Sequence, residues 1–298
     1  MNTQKGMGAR TRATAEEALR VRLLAGMAIT HQRLELAGVS TSLLEGGEGP
    51  CVLLLHEQGE FAERWMRVMP DLVKTHRVVA PDLPGHGSSR ILNGGLSPQL
   101  VSSWLDALID RTCASPPTIV GHMVGGAIAT RFAIEHPEKV GGLVLVDSFG
   151  LARFRPSPRF VLALVRYLVR PSQRSHERML DRCMADLDAV RAEMGADWDP
   201  MEAYLVDRIL TPDVKSAVGA VMKSLGVPRI AREDLGSITV PTTLIWGEED
   251  PVTRVKVARA TAARFGWPLH VIEGAGDDPP VEQPEAFVEA LRRSLESS

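Results

Sequence analysis

The chain predicts an α/β fold: a mostly parallel, eight-stranded sheet flanked by helices, with a helical cap inserted after the sixth strand. Three observations support this. Apolar runs of strand length, such as Cys51-Val52-Leu53-Leu54-Leu55 and Gly142-Leu143-Val144-Leu145-Val146, recur between helical patterns, as parallel strands covered on both faces require. Thr118 to Ala129 is an apolar run that breaks at glycines and resumes with helical spacing, so it reads as strand, sharp turn, helix. From Phe149 to about Leu235 strand signals stop and helical patterns take over.

In chain order, Met1 to about Ala13 has few apolar residues and is expected to be disordered, while Leu19, Leu23, Leu24 and Met27 give 15–27 one helical face. Arg33–Leu36 and Ser40–Leu44 form a hairpin that Gly46-Gly47-Glu48-Gly49-Pro50 ends. Strands follow at Cys51–Leu55 and His76–Ala80, with a helix over Phe61–Leu72 between them and a second helix over Leu100–Ile109 after them. The glycine turn then feeds a helix over Val124–Ile134 and a buried strand from Gly142 to Ser148. In the cap, Phe160–Val169 is apolar on most of its circumference, which predicts a helix covered on nearly all sides, either as cap core or as the wall of a hydrophobic pocket. Val240–Gly247 and Leu269–Ile272 complete the sheet, and Phe287, Leu291 and Leu295 give the last helix its apolar face. The expected organisation is an N-terminal extension with a helix (1–30), the core in two parts (31–148 and 236–298) and the cap (149–235).

Composition narrows the function classes. The net charge of −3 over 298 residues leaves no basic footprint, so nucleic acid is not an expected partner. Cys51, Cys113 and Cys183 are odd in number and widely spaced, which fits a reduced cytoplasmic protein rather than a disulfide framework or zinc site. Arg10, Arg12, Glu16 and Glu17 stand where an export signal would need an apolar core, and no run reaches the roughly 18 apolar residues of a membrane span. No cofactor is expected, and the acidic residues match no metal-binding spacing. The oligomeric state is open.

The turn at Gly121-His122-Met123-Val124-Gly125 has the geometry of a nucleophile elbow: the glycines leave room where strand and helix backbones crowd, and Met123 is held at the tip. Four motifs in order resemble the α/β-hydrolase superfamily of cap-domain type, similar to esterases, epoxide hydrolases and C–C bond hydrolases. These are the elbow, the loop His56-Glu57-Gln58-Gly59, the run Asp82-Leu83-Pro84-Gly85-His86-Gly87-Ser88-Ser89, and the turn Trp246-Gly247-Glu248-Glu249-Asp250 followed by Gly274-Ala275-Gly276-Asp277. The resemblance implies that Met123 occupies the nucleophile position, Asp250 is the triad acid, and Asp277 stands where the family has histidine. The backbone N–H groups of Val124 and Gln58 would form the oxyanion hole, and the run from Asp82 would be structural. Glu57 replaces a glycine beside that hole.

A thioether has no proton to lose, and a carboxylate is too acidic to act as a base near neutral pH unless desolvated, so ordinary Ser-His-Asp hydrolysis is not expected. Losing nucleophile or base in such enzymes costs about 10⁶ in turnover. Asp147 and Ser148 lie at the correct edge of the sheet to line the pocket, as do His56 and His122, which the resemblance gives packing or hydrogen-bonding roles. Glu57, Asp250 and Asp277 would converge near Met123; crowded carboxylates cannot all ionise, so one would keep its proton and serve as a general acid or base. The expected function is binding of a small apolar organic molecule between core and cap, with acid–base chemistry of lyase, isomerase, cyclase or epoxide-opening type. The alternatives are a non-catalytic ligand-binding or scaffold protein, and an inactivated or engineered form of a small-molecule ester or C–C bond hydrolase.

Overall fold

The computed structural model describes residues 17–296. The disorder expected over 1–13 lies outside them, and the N-terminal helix is seen over residues 17–23. Its Leu19 and Leu23 pack with Phe61 of the core and with Met184 and Trp198 of the segment between β7 and β8, defined below.

Among the described residues nine strands form one sheet: β1 (Ile29–Leu36), β2 (Val39–Gly46), β3 (Cys51–Leu55), β4 (Arg77–Pro81), β5 (Arg90–Ile91), β6 (Thr118–His122), β7 (Gly142–Val146), β8 (Thr242–Gly247) and β9 (Leu269–Ile272). Eight follow the order β1-β2-β4-β3-β6-β7-β8-β9, and the two-residue β5 pairs with β2. The pairings β1–β2, β2–β4 and β2–β5 are antiparallel; every pairing along the path β4-β3-β6-β7-β8-β9 is parallel.

The central strands are apolar throughout because each face meets its own layer. Leu53, Leu55, Ile119, Leu143, Leu145, Leu244 and Trp246 face one cluster, with Trp104 of helix Pro98–Thr112 and Phe132 of helix Val124–Glu135. Val52, Leu54, Val120, Val144, Val146 and Ile245 face the other, with Trp65, Met69, Phe287 and Leu291. This is the period-2 alternation of a strand, made continuous in hydropathy by cover on both sides.

Two expectations are corrected. The helix over Phe61–Leu72 is instead a 3₁₀ stretch, Ala62–Arg67, followed by a short α-helix, Met69–Leu72. Pro70 lacks the N–H and would clash with the carbonyl of Met66, so one continuous helix cannot pass. The apolar helix of the cap, Pro158–Val169, is not covered on nearly all sides. Only Phe160 and Tyr167 are buried, while Val161, Leu162, Val165, Leu168 and Val169 are 38–71 % exposed and form one outward face. Between β7 and β8 the chain is helical, and no helix among the described residues is long and apolar enough to cross a membrane.

Candidate active site

β3 pairs with β4 on one side and with β6 on the other, so the chain reverses direction across the sheet there and leaves a crevice at the carboxyl ends. Leu55 lies opposite Gly121, which sets the loop 56–59 beside the turn 122–124. Met123 sits at the tip with φ 49° and ψ −110°, a conformation that costs a non-glycine residue about 1–2 kcal/mol. Its N–H donates to the carbonyl of Val146 at 3.0 Å, and its carbonyl accepts from Phe149 and Ala127 at 3.1 and 3.2 Å. The neighbouring glycines are obligatory: a Cβ on Gly125 would lie 2.3 Å from the Leu55 carbonyl oxygen, and one on Gly121 would lie 2.5 Å from that of Gly125. The side chain of Met123 is 1 % exposed.

Val124 opens the helix that follows, so its N–H is one of the four that no helical carbonyl satisfies. Gln58 uses its side-chain amide to bond Glu57 Oε2 at 3.0 Å, while its own Oε1 is buried without a partner.

The two histidines are fixed in neutral form. His56 Nδ1–H donates to the Glu57 carbonyl at 2.6 Å, and Nε2 accepts from the Leu83 N–H at 2.9 Å. Burial lowers it to about 4. His122 Nε2–H donates to the backbone carbonyl of Asp277 at 2.6 Å, and burial lowers it as well. This bond ties the last loop to the elbow strand. Ser148 donates to the Phe149 carbonyl at 2.9 Å, and its Oγ lies 2.4 Å from where a Cβ on Gly126 would stand, so it packs against the elbow helix.

Asp250 accepts from the N–H groups of Val252 (2.6 Å) and Thr253 (2.9 Å) and from the Thr253 hydroxyl. Burial raises it against the pull of these donors. Asp147, at φ 42°, accepts from the Gly247 N–H at 3.0 Å; burial, then the charge of Asp250, raises it well above the ordinary carboxyl range. Asp277 is raised strongly by burial and then by Asp250, Asp278 and Glu282. Glu57 is raised strongly by burial and then by Glu60, Asp277 and Asp278, with Arg64 pulling the other way. Glu57, Asp147, Asp250 and Asp277 are thus all raised, burial being the largest cause for each, and like charge adds to the shift at Glu57, Asp147 and Asp277.

Two members of this cluster are not singled out by sequence reasoning. Cys183, from the segment between β7 and β8, accepts the Asp277 N–H on its carbonyl at 3.1 Å and hydrogen-bonds the Asp277 carboxyl through its thiol; burial and the charges of Asp277, Glu57 and Asp250 push that thiol well up. A lone cysteine in a helical pattern carries no sequence signal of this. Arg64 is the buried cation, donating to Asp278 and lying 3.4 Å from Glu60. The four-residue spacing of Glu60 and Arg64 is the one visible clue. The run from Asp82 is structural: Asp82 Oδ1 accepts from Ala62 N–H at 2.8 Å, Oδ2 from Ser88 N–H at 2.7 Å, and Gly87 has no room for a Cβ beside that carboxyl.

A parallel sheet whose central strand enters a strained, glycine-flanked elbow, with an acid-bearing turn after a later strand, defines the α/β-hydrolase class. The profile of the alpha/beta hydrolase family matches residues 52–290, and the chain belongs to that family. It is 28 % identical over 255 residues to 2-hydroxy-6-oxononadienedioate/2-hydroxy-6-oxononatrienedioate hydrolase of Cupriavidus pinatubonensis, covering 81 % of this chain and 85 % of that one. It is 29 % identical over 269 residues to an esterase of Mycobacterium tuberculosis, covering 88 % of each. Among solved structures it resembles 2-hydroxy-6-oxo-6-phenylhexa-2,4-dienoate hydrolase of Rhodococcus sp. strain RHA1, with a TM-score of 0.78, 20 % identity, and coverage of 90 % and 99 %.

Proposed function

We propose that this family member has abandoned acyl-enzyme chemistry and acts on a small, largely apolar organic molecule by proton transfer, with Asp277 as the acid–base group and Glu57 and Asp250 as its electrostatic partners. The observation that carries this reading is the pairing of a buried methionine at the elbow tip with a buried carboxyl, raised by burial and by neighbouring acids, where the family has histidine. Met123 offers no proton and only a weakly nucleophilic sulfur. Asp277, held neutral, can deliver a proton at neutral pH as an ordinary carboxyl cannot, and can take one back once substrate charge develops. This suits lyase, isomerase, cyclase or epoxide-opening steps, which need no acyl intermediate. The relatives named for hydrolysis of oxo-dienoates and esters support a small organic substrate.

A non-catalytic, ligand-holding role is the second reading. It is favoured by the closeness of residues 183–184 to Gly276, where a Cβ would stand 2.0 Å from the Cys183 carbonyl oxygen, and by the 1 % exposure of Met123.

The test is p-nitrophenyl ester turnover by the unchanged chain and by Met123→Ser with Asp277→His. Turnover by the double variant alone, at least about 10²-fold above the unchanged chain, supports a retained oxyanion hole and a disarmed site. Saturable turnover by the unchanged chain refutes the loss of acyl transfer.

A further inference from the structure

A cavity of about 570 Å³ lies beyond the ends of β7 and β8, bounded by the loop 148–155, the stretch 226–235 and the helix Val255–Phe265. Met123, Glu57, Cys183 and Asp277 do not line it; Ser148 and Thr253 do, so it adjoins the acid-bearing turn from the far side. Its walls are one-sided in charge. Arg153 and Arg155 come from the loop after β7, Arg229 and Arg232 from the return to β8, and Arg254, Lys256 and Arg264 from the helix and its start. Among the described residues no aspartate or glutamate lines the cavity, although the chain has 37 of them against 34 lysines and arginines, so composition does not explain the bias. None of the seven cations is held in an ion pair among the described residues.

Seven like charges around one concavity repel one another, and a polyanion in their midst removes that cost. Six of the seven are arginines, whose planar fork matches phosphate oxygens in pairs where an ammonium offers only a point charge. The floor is apolar: Phe149 and Phe154 meet edge to face at 5.3 Å, with Phe265, Leu235 and Val257 around them. The volume suits a small organic ligand, whereas an extended membrane or nucleic acid would need a convex or open face.

We infer that this cavity is a binding site for a phosphorylated organic molecule of nucleotide type, its phosphates among the arginines and its flat apolar body on the phenylalanines. The inference stands apart from the chemistry proposed at Asp277. Because Thr253 also bonds Asp250 through its hydroxyl, the site touches the turn that carries the triad acid.

The test is isothermal titration of the full chain, without divalent ions and at low salt, with ATP and with pyrophosphate, alongside sedimentation with vesicles of phosphatidylglycerol and phosphatidylcholine. The expected result is saturable one-to-one binding of ATP, tighter than pyrophosphate and weakened by salt. Arg153→Gln combined with Arg229→Gln, both at exposed positions, should weaken ATP binding about tenfold or more, and Arg174→Gln, outside the cavity, should not. Absence of saturable ATP binding, equal affinity for pyrophosphate, indifference to the paired substitution, or binding to vesicles alone would each overturn the inference.

Discussion

Arg64→Met tests whether the acid cluster under the elbow holds protons. Arg64 is 7 % exposed, donates to Asp278 and faces Glu60, and its charge is the counterweight that draws Glu57 and Glu60 down. Methionine keeps much of the volume and removes the charge. Breaking a buried pair from one side costs about 3–5 kcal/mol, because the remaining carboxylates must stay ionised without a partner or take up protons. Glu60 is already pushed up to about 7 by burial, from an unfolded value of 4.5, with Arg64 in place. Without it the folded value rises further. A raised carboxyl contributes stability that is complete below its unfolded value and is lost as pH climbs through its folded value. The variant therefore loses about 1.4 kcal/mol more than the unchanged protein for each pH unit over which the carboxyl is protonated in one and ionised in the other. Urea unfolding followed by circular dichroism at pH 6 and pH 8 should show the larger penalty at pH 8, by roughly 1–3 kcal/mol. An equal penalty at both pH values would refute proton-holding in the cluster, and a penalty below about 1 kcal/mol would refute the importance of the pair.

Three further outcomes can be measured with the same unfolding assay. Gly125→Ala should cost about 3 kcal/mol or more, since the new Cβ meets backbone atoms of Leu55 and His56 that cannot move without shifting β3; a loss within 1 kcal/mol would contradict the crowding. His86, pushed down to about 3 by burial, is neutral in the fold and charged in the unfolded chain below pH 6.5, so its contribution is present above 6.5 and fades as pH falls. His86→Gln should thus lose about 2 kcal/mol less than the unchanged protein between pH 7 and pH 5, and identical losses would refute this. On the helix Pro158–Val169, Phe160→Ala should cost about 3 kcal/mol while Leu162→Lys stays within about 0.5, because only the first leaves the core; a large loss from the second would mean that the outward face is covered.

The sheet and the elbow were legible because their signals are local. Glycines at 121 and 125 are demanded by backbone atoms a few residues away in space, and runs such as Cys51–Leu55 are apolar at both phases because two layers cover them. The exposed face of Pro158–Val169 was not legible, since hydropathy records that a face is apolar and says nothing of what lies against it. The break within Phe61–Leu72 follows from Pro70, whose missing N–H the helical reading of that stretch did not take into account. The carboxyls at 57, 250 and 277 could be grouped from the order of the motifs, and their crowding suggested that one would keep its proton, but which of them is raised most could not be read. It depends on burial and on Glu60, Arg64, Asp278 and Cys183, which come from separate parts of the chain and are joined only by the fold.

The changes at positions 57, 123 and 277 fit one another better than any fits a serine hydrolase. An oxyanion hole beside an ionised Glu57 would oppose the charge that it has to stabilise, whereas a protonated Glu57 does not. A neutral Asp277 avoids repulsion with Asp250, and an apolar Met123 adds no demand for a base. On the function proposed above, the site has exchanged a constellation that separates charge for one that stores protons. Restoring one member of the old set should accordingly do little. Met123→Ser alone has no base, and Asp277→His alone has no nucleophile, so each should stay within about tenfold of the unchanged chain in ester turnover while the pair exceeds their product, as groups that act as a unit do. If the serine variant alone matches the pair, the base lies elsewhere, and Asp277 is not the group around which this site works.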